Sequence, residues 1–208
     1  GLKLATEYAL EYKSPEQSQL PKWAVWHNKA YGTTYEPVVF IYNKRLIPVA
    51  DVPDSHAALA KLVAGQVDKF KSKVTTYDIE KSGVGFMLSV MDYKADPNYF
   101  KTLADVAKGG LAVQSSTGTM MERVSSGENL IGYNILGSYA EARAKNDPSL
   151  GIAYPKDYVL VLSRVIMLPG NAGGAEGSFY LFMGPLFGRH LAVGLVLWRF
   201  AAFLEVLL

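Results

Sequence analysis

The chain has 208 residues, 50% of them apolar, with 21 basic and 19 acidic side chains and a formal charge of +2. That apolar share can fill the core of one large domain or two small lobes, and so small a charge excludes a strong field of the kind that gathers nucleic acid. There is no cysteine, which excludes disulfides, thiol nucleophiles and cysteine-ligated zinc and suits an exported protein of an oxidising compartment.

In chain order, Gly1 to Lys29 mixes aromatics (Tyr8, Tyr12, Trp23, Trp26) with Pro15 and Pro21 and has poor periodicity. A short helix near Leu2 to Ala9 followed by a wrapped loop is expected. Gly1 to Leu10 has neither a basic start nor an apolar run, so no signal peptide is read there. Ala30 to Thr34 reads as a turn, and Pro37 to Tyr42 is a continuous apolar run, as a strand buried on both faces requires. Asp51 to Ser55 offers a capped start for a helix over His56 to Ala64, with Leu59, Leu62 and Val63 inward and His56 solvated in the first turn. Lys73 to Tyr77 reads as a strand, Asp78 to Lys81 as a polar turn, and Ser82 as the N-cap of a helix through the apolar run Phe86 to Met91.

Asp96-Pro97 then supplies an N-cap and a first helical proline, Tyr99, Leu103 and Val106 a buried stripe, and Gly109-Gly110 a stop. Leu111 to Val113 is a short strand, Gln114 to Gly118 a hydroxyl-rich turn, and Thr119 to Val124 resumes as helix. Asn129 to Tyr133 reads as a strand, Ser138 to Lys145 as a helix closed by Asn146-Asp147-Pro148, Gly151 to Tyr154 as a strand, and Val159 to Leu168 as a last extended run. The alternation of strands and helices predicts an α/β lobe from roughly Pro53 to Val159.

Two of these turns carry the candidate chemistry. A strand that hands over to a helix through serine and glycine leaves unpaired backbone N–H groups at the positive end of the helix dipole, which is a seat for an anion. Ser82, Gly83 and Val84 form one such turn, and Ser115, Ser116 and Thr117 form another about one α/β unit later. In open α/β sheets, ligands gather at the carboxyl ends of strands. An ordinary capped turn explains either one alone; the repetition favours a ligand.

Competing chemistries are weaker. The three histidines (His27, His56, His190) are scattered without metal-ligand spacing. There is no Gly-x-Ser-x-Gly elbow and no P-loop lysine, and Asp78 and Glu80 read as surface charges sooner than as an acid/base pair. No catalytic residue, metal or cofactor is expected.

Four segments in order, EPVVFIYNKRL (Glu36 to Leu46), KVTTYDIEKSGVGF (Lys73 to Phe86), SSGENLIGYNILGSYAEARA (Ser125 to Ala144) and GIAYPKDYVLVLSRVIMLP (Gly151 to Pro169), give the chain a resemblance to a known family. Together they resemble the periplasmic solute-binding proteins of ABC importers, in the group that includes ferric-iron and phosphorylated-solute binders, over most of Leu2 to Asn171. The resemblance implies a type 2 periplasmic-binding-protein fold. On that pattern residues 1–42 are part of lobe one with the first crossing, residues 43–160 are lobe two, and residues 161–172 are the return crossing. It also implies that the fragment starts inside lobe one.

The implied function is capture of a small anionic solute, bearing phosphate or carboxylate, by closing two lobes over it for a membrane permease. Beside the two turns, Tyr133, Asn134 and Tyr139 would supply side-chain bonds and a stacking wall, and Thr33, Thr34 and Tyr35 would face the cleft from lobe one. Core packing is an almost equal reading of Tyr133 and Tyr139. The ferric binders of this family use adjacent tyrosines after the strand matching Asn129 to Tyr133. Here Tyr133 and Tyr139 are six positions apart, so ferric-ion binding is the second reading, and an α/β enzyme acting on a phosphorylated small molecule is the third.

Beyond Pro169 the character changes. From Phe179 to Leu208 only Arg189, Arg199 and Glu205 are charged. A membrane span needs about 20 apolar residues, and Leu191 to Leu208 is slightly short, with Arg199 near its middle costing about 2.5 kcal/mol or more. A buried core helix and a reading-frame change after about Ala172 are the other readings. The last is preferred, because the resemblance stops there; an apolar tail without a partner would then favour self-association.

Overall fold

The computed structural model describes residues 2–170, with side chains from residue 4 onward. The expectations for the tail over residues 173–208, and for His190, lie outside the described residues. The described residues divide into two compact units, one holding the chain up to Tyr35 and from Ser163 to Gly170, the other Glu36–Leu162.

In chain order the elements are α1 (Leu2–Tyr8), β1 (Val25–Trp26), β2 (Ala30–Gly32), β3 (Glu36–Asn43), α2 (His56–Gly65), α3 (Val67–Phe70), β4 (Val74–Tyr77), α4 (Gly83–Ala95), α5 (Tyr99–Ala107), β5 (Leu111–Gln114), α6 (Thr117–Ser126), β6 (Ile131–Leu136), α7 (Gly137–Ala144), β7 (Leu150–Ala153), β8 (Val161–Leu162) and β9 (Val165–Ile166). Among the described residues no helix is long and apolar enough to cross a membrane.

In the smaller unit β1, β2 and β9 form an antiparallel sheet in that order. The segment Ala30 to Thr34, expected as a turn, is mostly strand: Tyr31 and Gly32 pair with Ile166 and Val165. The turn lies earlier, at His27 and Asn28, both with positive φ. Tyr31 is fully buried against Leu168, and its hydroxyl donates to the Tyr12 carbonyl.

The larger unit is a six-stranded mixed sheet of order β5-β4-β6-β3-β7, with β8 beside the start of β3. β4 runs parallel to β5 and β6, whereas β3 is antiparallel to β6, β7 and β8. β3 is buried at every position except Pro37, which is why its sequence is a continuous apolar run. Its alternation sorts side chains between two cores. Phe40 and Tyr42 join Leu59, Val63, Phe70 and Val106 beneath α2, α3 and α5, while Val39 and Ile41 join Leu88, Met120, Val124 and Ala140 beneath α4, α6 and α7. Each fully buried apolar chain contributes roughly 1.5–3 kcal/mol.

Three helices start on serine caps: Ser55 accepts from Ala58 N–H at 3.1 Å, Ser82 from Gly85 N–H at 3.1 Å and Ser116 from Thr119 N–H at 3.2 Å. α6 ends at Gly127 in the left-handed region (φ 86°). Its last carbonyls are held from outside: Asn43 Nδ2 donates to Val124 O at 2.7 Å, Arg45 Nη2 to Ser125 O at 2.9 Å, and Ser149 Oγ to Ser125 O at 3.2 Å.

Several expected boundaries move. α5 begins at Tyr99 and not at Pro97, because Asp96 closes a turn on Asn98 N–H (2.8 Å) before the helix starts. The strand expected over Asn129 to Tyr133 is β6, two residues later, since Asn129 is spent on side-chain bonds to Ser72 O and Arg123 Nε. The run Val159 to Leu168 is two short strands that belong to different sheets.

The reading of His56 as solvated is wrong. It is 5% exposed, because it begins the inward stripe His56, Leu59, Ala60, Val63, and an imidazole at that spacing shares the burial of its helix face.

Candidate functional site

The two serine turns lie side by side. β4 and β5 pair in parallel with Tyr77 opposite Gln114, and the Asp78 N–H donates to the Gln114 carbonyl at 2.8 Å, so both strands deliver their turns to one edge of the sheet. Each cap serine is occupied by its own helix, Ser82 by Gly85 N–H and Ser116 by Thr119 N–H. Helix geometry leaves the amides between cap and capped residue without intrahelical acceptors. These are Gly83 and Val84 on α4, and Thr117 and Gly118 on α6, and all four residues reach the surface at least in part.

Tyr77 ties the turns together. A Cβ placed on Gly85 would stand 2.3 Å from Tyr77 Cβ, so α4 rests directly on this strand residue. At its other end the Tyr77 hydroxyl is hydrogen-bonded to Thr117 Oγ1. Burial pushes the Tyr77 phenol up to about 12, with the Thr117 bond acting against it and nearby Tyr139 adding to it. The structure thus brings the turn of Ser82, Gly83 and Val84 and the turn of Ser116 and Thr117 to the same sheet edge beside Tyr77, with Tyr139 nearby and Ser115 exposed. The close approach at Gly85 is made by the protein's own β4.

Tyr133 and Asn134 stand elsewhere. Both are buried, and both donate to Asp92 Oδ2, Tyr133 Oη at 3.0 Å and Asn134 Nδ2 at 2.6 Å, while Tyr158 Oη donates to Asp92 Oδ1 at 3.0 Å. Asn134 adopts positive φ (61°), a conformation asparagine tolerates better than most residues. Burial pushes the Asp92 carboxyl above its usual range, while the hydrogen bonds from Asn134, Tyr133 and Tyr158 and the charge of His56 act against this. Tyr133 is held well above the ordinary phenol range by burial and by Asp92.

Beside this network, His56 N–H donates to Asp157 Oδ2 at 2.9 Å, its Nδ1 lies 3.0 Å from Asp157 Oδ1, and its ring stacks on Tyr158 at 4.0 Å and 3°. Glu36, also buried, accepts from Ser138 Oγ at the start of α7.

In the smaller unit, Thr33 N–H donates to the Arg164 carbonyl at 2.8 Å, and Thr34 Oγ1 accepts from Arg164 N–H at 2.9 Å. Tyr35 is exposed, edge-on to Trp23 at 5.6 Å. Among the described residues, no group of three or more histidines and carboxylates is placed to hold a metal ion.

No family model and no curated protein matches this sequence. Among solved structures, the substrate-binding protein of an ABC transporter from Agrobacterium tumefaciens is 35% identical, with a TM-score of 0.78, over 84% of this chain and 52% of that one. The chain has the type 2 periplasmic-binding-protein fold and is similar to this ABC-transporter substrate-binding protein.

Two further solved structures share the fold at lower identity. Iron-bound HitA from Pseudomonas aeruginosa is 16% identical (TM-score 0.66, 86% of this chain and 60% of that one). The periplasmic binding protein AfuA from Actinobacillus pleuropneumoniae, with fructose-6-phosphate bound, is 18% identical (TM-score 0.63, 83% and 55%). The chain therefore spans between 52% and 60% of the length of these three binding proteins, and its two described units are a partial type 2 α/β architecture.

Within this binding-protein fold the sequence reading missed Tyr77, Asp92, Asp157 and Tyr158. Asp92 carried a signal: it follows Gly85 and Leu88 at helical spacing, so it is an acid on the buried face of α4. Asp157 and Tyr158 sit in an irregular segment and carried none.

Proposed function

We propose that this chain is the solute-binding component of an ABC importer, acting outside the cytoplasm, and that it captures a small anionic solute for a membrane permease. The observation that carries the reading is the 35% identity with an ABC-transporter substrate-binding protein across 84% of the chain. The anionic character of the solute is supported by the paired turns. The amides of Gly83 and Val84, and of Thr117 and Gly118, converge from two neighbouring helix N-termini, and their dipoles favour negative charge.

In this reading the exposed Ser115 adds a polar contact, Ser116 holds the first turn of α6 in place as its cap, and Tyr139 forms a wall. Tyr133 and Asn134 act from behind, through Asp92. AfuA, with its bound sugar phosphate, is a neighbour whose ligand carries such a group. The Tyr133 hydroxyl donates to a buried carboxylate, and a phenol so placed keeps its proton, which supports the anionic solute over a phenolate-bound ferric ion.

Isothermal titration with inorganic phosphate, sugar phosphates, small carboxylates, polyamines and ferric citrate tests the proposal. Saturable binding of a phosphate or carboxylate without turnover of a chromogenic phosphate ester is the expected result. Turnover of the ester establishes the enzyme reading, and a coloured ferric complex the iron reading. Binding of polyamines alone removes the anion from the proposal.

A further inference from the structure

The segment Pro155 to Tyr158, between β7 and β8, is fastened far more heavily than its irregular backbone requires. Lys156 N–H donates to the Asp54 carbonyl at 2.7 Å, just before α2. Asp157 takes both the backbone N–H and the Nδ1 of His56, and Tyr158 lays its ring on the His56 imidazole while its hydroxyl reaches Asp92 on α4. Asp92 is wholly buried and His56 is 5% exposed.

Two residues further on, the Leu160 carbonyl accepts from Val38 N–H at 2.8 Å, and β8 pairs Val161 and Leu162 with Pro37 and Glu36. The larger unit ends at Leu162. The fastened segment is thus the last stretch before the chain leaves this unit, and it is bolted to two helices, α2 and α4, at their opposite ends: the N-terminus of α2 and the C-terminal half of α4.

We infer that Asp157 with His56, and Tyr158 with Asp92, form a clasp that fixes the outgoing crossing segment and so sets how firmly β8 stays paired with β3. Asp92 and His56 are positioning residues in this device. The clasp has a directional logic. β8 is a two-residue strand that pairs, among the described residues, with β3 alone, and so short a strand has little pairing of its own. Its register is inherited from whatever holds the residues before it. Tyr158 is the residue best placed to do so, because one side chain engages both anchors. The Asp92 carboxylate in turn sits on the same helix that carries the Ser82 turn, so the crossing segment and that turn share one rigid element.

Hydrogen exchange on the solute-free chain tests this without reference to any ligand, so its outcome is separate from that of the proposed function. Tyr158→Phe removes the bond to Asp92 and keeps the ring stack; Asp157→Asn weakens the tie to His56. Both are expected to speed exchange at Val38 N–H and at the Leu162 amide by roughly tenfold or more, the factor that one hydrogen bond to a charged acceptor represents. The amides of the β4 and β5 pairing should be unchanged in the same samples. Unchanged exchange at Val38 in both variants overturns the clasp. An equal rise in β4 and β5 also overturns it, by showing only a general loss of stability.

Discussion

A methyl group added at Gly85 measures how tightly the Ser82 turn is built onto β4. The new Cβ would lie 2.3 Å from Tyr77 Cβ and 3.0 Å from Tyr77 Cγ, whereas carbon atoms settle at about 3.5 Å or more. α4 must therefore retreat by about 1 Å, because the obstructing atom is a strand Cβ that no rotamer change can move. Overpacking of this kind costs about 1–3 kcal/mol, and the better helix propensity of alanine returns up to about 1 kcal/mol, leaving a net loss of up to about 2 kcal/mol for Gly85→Ala. The matched control is Gly118→Ala in the first turn of α6, where the new Cβ would meet only Ser116 Oγ at 3.9 Å. There the same propensity term stands unopposed, for a gain of up to about 1 kcal/mol. Urea denaturation of the two variants against the parent should separate them in opposite directions. Equal stabilities for the two, or the reverse order, would refute the assignment of Gly85 to close packing against Tyr77.

At Asn134, glycine relieves the positive φ but removes a bond to a buried carboxylate, and alanine adds backbone strain to that loss; the expected order of denaturation midpoints is parent, then Asn134→Gly lower by about 1–2 kcal/mol, then Asn134→Ala lower by about 1 kcal/mol more. The acid limb of stability should carry a contribution from Asp147. The nearby Ser125 hydroxyl, together with hydrogen bonds from the Ser149 hydroxyl and N–H, holds its carboxyl well below the usual range. A depressed folded-state value stabilises fully above the unfolded value of about 3.9 and is lost as pH falls below it. Asp147→Asn should therefore flatten the stability profile below about pH 4 while changing its slope little at neutral pH, as read from melting temperatures across a pH series.

What was legible in the sequence was whatever rests on local pattern. The apolar run of β3, the serine cap at Ser82, the capped start over Asp51 to Ser55 and the glycine stop after α5 announce themselves within a few residues, because strand burial and helix capping are decided there. Boundaries failed where a side chain outside the element competed for its first residues, as Asp96 does before α5 and Asn129 before β6. His56 differs in kind: an imidazole's polarity favours solvent, whereas its position on the stripe with Leu59 and Val63 buries it. Of the candidate site, the two turns could be read because each is a contiguous motif. Their adjacency depends on the parallel register of Tyr77 with Gln114, which no local pattern encodes. The roles of Asp92 and Tyr158 depend on contacts 66 positions apart and were beyond any reading of neighbours in sequence.

The occupied state of the cap serines decides how an anion can be recognised here. Had Ser82 and Ser116 been free, their hydroxyls would offer a ligand rotatable groups that can donate or accept, and charge selectivity would be weak. Each is instead committed to its own helix, Ser82 to Gly85 N–H and Ser116 to Thr119 N–H. What remains in both first turns is backbone N–H, which can only donate and whose direction is fixed by the helix. In the proposed function, two such fixed donor sets, linked through Tyr77 and Thr117, would discriminate by charge through the dipole and by shape through their separation, with little side-chain entropy to lose on binding. Removing a cap hydroxyl by Ser82→Ala should therefore act mainly on the helix, at about 1 kcal/mol of stability, and on solute affinity only as far as the loosened turn lets Gly83 and Val84 swing away. If affinity falls by more than tenfold, a loss of about 1.4 kcal/mol, while stability is unchanged, the hydroxyl itself touches the solute and the donors are not the backbone amides alone.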